Sequence, residues 1–129
     1  MDLAEKIKSF FKGEVHAETE VLESHSRDAS LLKVRPKVVV FPKDAEDISN
    51  LIKFVASEKG ADPSLSLTAR AAGTCMSGGP LTDSVVAVFT KYMNHMLEVG
   101  SGYAVTEPGV YYRDFEKATL ASNRQILPS

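Results

Sequence analysis

The chain has 129 residues, 43% hydrophobic and 25% charged, with a formal net charge of −2, enough for one domain with its own core but not for a second full one. Without Lys/Arg runs it offers no basic stripe to track a phosphate backbone, which argues against nucleic acid as a partner. No apolar run reaches membrane-spanning length, the start Met1-Asp2-Leu3-Ala4-Glu5 is charged and helical in pattern, unlike a signal peptide, and the single cysteine, Cys75, rules out an internal disulfide or a CxxC pair. The expected compartment is the cytoplasm.

In chain order, Leu3, Ile7, Phe10 and Phe11 form one apolar stripe of a short helix that Gly13 can terminate. Residues 14–36 read as polar and irregular. Val38-Val39-Val40-Phe41, between Pro36 and Pro42, is a continuous run suited to a strand buried on both faces. Asp44 can cap the next helix, in which Ile48, Leu51, Ile52 and Val55 repeat at helical spacing before Gly60. Leu65, Leu67 and Ala69 then alternate with polar residues, so strand, helix and strand read as a βαβ unit with a parallel pair. The next apolar run is Val85-Val86-Ala87-Val88-Phe89. Met96-Leu97-Glu98-Val99 and Tyr103-Ala104-Val105-Thr106, joined through Gly100-Ser101-Gly102, predict a hairpin broken by Pro108-Gly109. Tyr111, Phe115, Ala118 and Ser122 mark a last helix. The fold class is α/β (α+β), a small parallel βαβ sheet flanked by helices.

The most informative segment is Arg70-Ala71-Ala72-Gly73-Thr74-Cys75-Met76-Ser77-Gly78-Gly79-Pro80. Little side chain stands between its N–H groups and a ligand, and its glycines reach the φ > 0 bends of an anion nest. From Pro63 to Thr82 the only charge is Arg70, so a diphosphate would meet a positive local field. Residues 70–84 show no helical period, and so long a structureless connection inside a compact domain is usually functional. The segment is neither a Walker loop nor a GxGxxG fingerprint. A mobile surface connection is the competing account of it; Arg70 can hold a phosphate or pair with a surface carboxylate, and without the loop beside it the salt bridge would be the better reading.

Other groupings carry less. Glu14, His16, Glu18 and Glu20 alternate as metal ligands on an extended segment would, but a solvated polar edge fits them better. Ser24, His25 and Asp28 are the ingredients of a hydrolase triad, yet triads are brought together from distant positions. Cys75 with His95 as base, and His95 with Glu98 as an i,i+3 pair, complete the inventory. No metal site and no catalytic residue is assigned.

The segment beginning at Arg70 resembles the FAD diphosphate loop of the vanillyl-alcohol oxidase and p-cresol methylhydroxylase family of flavoproteins. Arg27-Asp28-Ala29-Ser30 with Arg35-Pro36-Lys37-Val38-Val39-Val40-Phe41-Pro42 resembles the family's opening strand. Met93-Asn94-His95-Met96-Leu97-Glu98-Val99 and Val105-Thr106-Glu107-Pro108-Gly109-Val110 resemble its later segments. The likeness is greatest to the glycolate oxidase and D-lactate dehydrogenase type, which oxidise 2-hydroxy acids. It runs from about residue 24 to residue 129, leaving residues 1–23 as an N-terminal helix and polar lead-in to a partial PCMH-type domain.

The resemblance implies that Arg70, Ala71, Ala72, Gly73, Thr74, Cys75, Met76, Ser77 and Gly78 wrap the FAD diphosphate, mainly through backbone N–H groups. It places Pro42 beside the adenine side of the cofactor, and Pro108, Gly109 and Val110 beside the flavin or its ribityl chain. Cys75 stands where the family more often has Ser. Thr74 and Cys75 occupy the neighbourhood in which some relatives carry a flavin-linking His, so the FAD is expected to be non-covalent. Relatives continue beyond the position of Leu127-Pro128-Ser129 into the rest of the FAD domain and a substrate domain holding the catalytic base. The chain alone is therefore expected to be inactive, and to self-associate through the surface those parts would cover. Two other readings stand beside this one: a non-catalytic nucleotide-binding module that needs a partner chain, and a structural fragment without ligand.

Overall fold

The structure, a computed structural model, describes residues 1–122. Helix α1 (Leu3–Lys8) begins where the Asp2 carboxylate accepts the N–H of Glu5 at 2.8 Å, satisfying one of the donors a helix start leaves orphaned. It ends at Lys8, before Phe10 and Phe11, which pack on the core from the following turn. Gly13 has a different task from ending the helix: a β-carbon there would stand 2.0 Å from the Phe41 carbonyl oxygen.

The stretch read as irregular holds two elements, β1 (Glu14–His16) and α2 (Thr19–Ser24). A strand of three residues is too short for alternation to register. Its order comes from antiparallel pairing with β2 (Val38–Phe41), Val15 opposite Val40. Helix α3 (Ala45–Glu58) is capped as expected, the Asp44 carboxylate accepting the N–H of Asp47 at 3.0 Å. Its buried stripe is Asp47, Leu51 and Val55, while Ile52 is 53% exposed. The apolar pattern misplaces the helix face because a buried carboxylate holds one of the inward positions.

Strands β3 (Leu67–Arg70) and β4 (Val85–Val88) complete a four-stranded sheet of order β1-β2-β4-β3. The βαβ unit therefore has a strand inserted in it. Val38 of β2 and Leu67 of β3 both face Val85 of β4, each in parallel register. All four residues of β4 are buried, and a strand that apolar gains most from a central place.

Alternate residues of the sheet face opposite ways. Val38, Val40, Val85 and Ala87 meet Ile7, Leu51 and Val55 of α1 and α3, whereas Val39, Val86 and Val88 meet Leu22 of α2. Residues 1–23, read as a lead-in, thus contribute Ile7, Phe11 and Val15 to one of these clusters and Leu22 to the other. Strands β5 (Met96–Val99) and β6 (Ala104–Thr106) form a separate antiparallel hairpin with a register shift between Met96 and Glu98. Tyr103 falls in its turn, and α4 (Tyr112–Ser122) packs against β5. The end of the family-like region, including residues 127–129, lies outside the described residues. Among the described residues no helix is long and apolar enough to cross a membrane.

Candidate functional site

Because β2, β4 and β3 run parallel, their carboxyl ends share one edge of the sheet, where ligands of open α/β sheets bind. The loop after β3 leaves that edge. Within it Gly73 and Gly78 adopt φ of 71° and 82°, the positive-φ residues of the described chain. Side chains with a β-carbon resist that region. Ala69, Ala71, Ala72, Gly73, Thr74, Cys75, Gly79 and Pro80 line a cavity of about 430 Å³.

The lining holds no carboxylate, and among the described residues no protein acceptor takes the N–H groups of Ala71, Ala72, Gly73 or Thr74. Unspent donors around a concavity suit an anion. Farther along, the loop satisfies itself: Ser77 N–H donates to Cys75 Sγ at 3.4 Å and Leu81 N–H to the Gly78 carbonyl at 3.1 Å. Met76 is exposed and Ser77 stands beside it on the surface. The N–H groups of Ser77 and Gly79 hold the Cys75 thiol below its ordinary pKa.

Arg70 is not among the residues that line the cavity. Its guanidinium donates to the carbonyls of Arg27 at 2.8 Å and His25 at 3.4 Å. Among the described residues it forms no ion pair with a surface carboxylate, although the field of Asp28 partly offsets the cost of burying it. One oxygen of Asp28 accepts the N–H of Ser30 at 2.8 Å, and the other, Oδ2, is buried with no hydrogen-bond partner among the described residues.

The second group of candidate residues sits across Phe89. The N–H of Phe89 donates to the Arg70 carbonyl at 3.0 Å, and its own carbonyl accepts the N–H of Met93 at 3.0 Å. Gly109 is buried against that same carbonyl: a β-carbon would stand 2.2 Å from it, and the Gly109 N–H donates to Met93 at 2.8 Å. Gly109 and Val110 line a second cavity, of about 390 Å³, with Asn94, Met96, Tyr111 and Asp114, while Pro108 is exposed beside it. One residue past β4 thereby anchors both loops. Pro42, in contrast, is fully buried at the end of β2 and lines neither cavity.

The remaining candidates have ordinary partners. His16 lies between Glu14 (2.9 Å) and Glu18 (3.0 Å), and Glu14 also binds the Lys91 ammonium at 2.7 Å and the Tyr92 hydroxyl. Glu20 lies in α2. Among the described residues no group of three His, Cys, Asp or Glu side chains is arranged to hold a metal ion. Ser24 meets His25 Nδ1 at 3.0 Å, but Asp28 faces Ser30, so no triad forms. His95 pairs with Glu107 at 2.5 Å rather than with Glu98, which accepts the Tyr103 hydroxyl. The hairpin register decides that exchange, and among the described residues the Cys75 thiol is hydrogen-bonded within its own loop, at Ser77, and not to His95. Sequence reasoning missed Phe89 and Glu107 as anchors because their roles depend on backbone groups far along the chain.

The profile of a family described as FAD binding domain matches residues 36–128, and the chain belongs to that family. A D-2-hydroxyglutarate dehydrogenase of Pseudomonas putida is 30% identical over 91 residues, which are 70% of this chain and 9% of that protein. The solved 4-ethylphenol oxidase of Gulosibacter chungangensis superposes with a TM-score of 0.69 at 25% identity, over 92% of this chain and 23% of that one. The solved p-cresol methylhydroxylase gives 0.73 at 17% identity, over 92% of this chain and 24% of that one. The expected PCMH-type fold therefore stands. The chain spans about a tenth of its curated relative (9%) and about a quarter of each of these solved structures.

Proposed function

We propose that residues 70–78 are the diphosphate loop of a non-covalently held FAD, and that the protein of which this chain is the FAD-binding part oxidises a 2-hydroxy acid. The observation that carries the reading is the pair of left-handed glycines, Gly73 and Gly78, framing a carboxylate-free cavity with unspent N–H donors. Ala71, Ala72, Gly73, Thr74, Cys75 and Met76 supply the backbone of that cradle. Gly109 and Val110, with Pro108 at their rim, border the flavin side through the second cavity. Pro42 contributes the rigid, buried end of β2 on the adenine side rather than an open face.

Bound FAD supplies a hydride acceptor, and the protein supplies orientation and exclusion of water. No residue of this chain is given the base or the grip on the substrate carboxylate. The 2-hydroxy-acid class is supported by the D-2-hydroxyglutarate dehydrogenase relative, and lactate and glycolate remain within it.

The test is equilibrium titration of the purified protein with FAD, followed by acid precipitation. All flavin is expected in the supernatant. Dye reduction is then assayed with 2-hydroxyglutarate, lactate and glycolate, and the 129-residue chain alone is expected to give no turnover. Failure to bind FAD would sink the loop assignment, flavin in the pellet the non-covalent one, and turnover by the chain alone the division of labour.

A further inference from the structure

An arginine beside a cavity shaped for an anion invites assignment as a phosphate ligand. The geometry around Arg70 points elsewhere. Its two terminal nitrogens each donate to a backbone carbonyl of the preceding segment, Nη2 to Arg27 at 2.8 Å and Nη1 to His25 at 3.4 Å. The same guanidinium packs on Gly73, where a β-carbon would stand 2.4 Å from Nη2 and 2.8 Å from Cζ. The tethered segment returns the contact, for the N–H of Ala29 donates to the Cys75 carbonyl at 3.0 Å. Residues 25–29 are thus fastened to the loop at its root by Arg70 and at its middle by Ala29. A planar fork can bridge two carbonyls in this way, whereas a lysine ammonium is a compact point donor.

We propose that Arg70 is a positioning residue of the anion site: it docks residues 25–27 on the loop and fills the space left by Gly73, fixing the bend in which the N–H groups of Ala71, Ala72 and Gly73 stay unspent. It is not itself a phosphate ligand. The proposal rests on the FAD reading above.

The test compares the unmutated protein with Arg70→Gln and Arg70→Lys in two measurements, FAD titration and amide hydrogen exchange without FAD. In Arg70→Gln the Ala29 amide is expected to exchange at least about tenfold faster, while the core amides of Val39 and Val86 keep their protection. FAD affinity falls by at least about tenfold, and lysine restores neither quantity. Weakened FAD binding with Ala29 still protected, and affinity restored by lysine, would make Arg70 a direct ligand and overturn the proposal. Ala29 opening with FAD affinity unchanged would overturn it too. So would loss of protection at Val39 and Val86, which marks a general stabilising role. Absence of FAD binding in the unmutated protein would remove the FAD reading and this one with it, and is recognised because no substitution is needed to produce it.

Discussion

The buried carboxylate of Asp47 in α3 accepts the backbone N–H of Gly13 at 2.9 Å, across 34 residues of chain. The same group accepts the N–H of Lys12 at 2.9 Å and of Lys43 at 3.0 Å. One side chain therefore holds the approach to β1 and the exit from β2 to a single helix. Asp47→Ala leaves three part-buried N–H donors without their acceptor and is expected to cost about 2 kcal/mol or more. Asp47→Asn keeps one acceptor oxygen and should cost less. Urea unfolding followed by circular dichroism measures both, and equal stability of all three proteins would refute the staple.

Acid should weaken the other side of β1. The Lys91 ammonium, then the Tyr92 hydroxyl and His16, hold the Glu14 carboxyl at about 2 instead of 4.5. The unfolded chain takes up this proton near 4.5 and the folded chain only near 2, so the stabilisation is complete above 4.5 and disappears as pH falls between these values. With the side chain 30% exposed, water screens the interaction to about 1 kcal/mol. Glu14→Gln should lower the urea midpoint at neutral pH and flatten the acid limb. An unchanged limb would count against the Lys91 pairing.

Two glycines should behave oppositely. A β-carbon on Gly109 would strike the Phe89 oxygen at 2.2 Å and the Met93 oxygen at 2.5 Å, both backbone atoms, whereas one on Gly60 would meet nothing within 4 Å. Gly109→Ala is expected to destabilise by about 2 kcal/mol or more, and Gly60→Ala to stay within about 0.5 kcal/mol of the parent. Thermal melts of the two variants side by side decide the matter.

The Cys75 thiol, held below its ordinary 9.0 by the Ser77 and Gly79 N–H groups, should reach half-maximal reaction with a disulfide reagent below that pH, because the thiolate is the nucleophile. Saturating FAD should slow the reaction. Cys75→Ser keeps the backbone amide, so its FAD retention after gel filtration should match the parent's. A midpoint at or above 9.0, or no protection by FAD, would place the thiol outside the loop's field.

The hairpin exposes Leu97 (61%) and Val105 (42%), with Tyr103, Tyr111 and Tyr112 also half open around it. Apolar surface of this extent favours association. Light scattering of the 129-residue chain is expected to show dimers or larger species, and Leu97→Lys with Val105→Lys to shift them toward monomer. A clean monomer across a concentration series would contradict this.

Elements whose signal is local were legible in the sequence. The valine run of β2, the Asp44 cap and the glycine-rich loop each depend on neighbours within a few residues, and each stands where its residues imply. Composition also marked the loop at residues 70–79 as one with accessible backbone, because glycine and alanine carry little side chain wherever they stand. Tertiary structure alone decided the rest. β4 enters between β2 and β3 because its four buried residues need a partner on each side, a competition among strands that no single strand encodes. Asp47 turns inward because three N–H groups converge on it, two from the distant Lys12–Gly13 turn and one from Lys43 just ahead of its own helix, and that displaces Ile52 to the surface. Arg70, read from sequence as a charge offered to a ligand, spends its donors on the carbonyls of His25 and Arg27, because folding brings a segment some 45 residues away within reach of its fork.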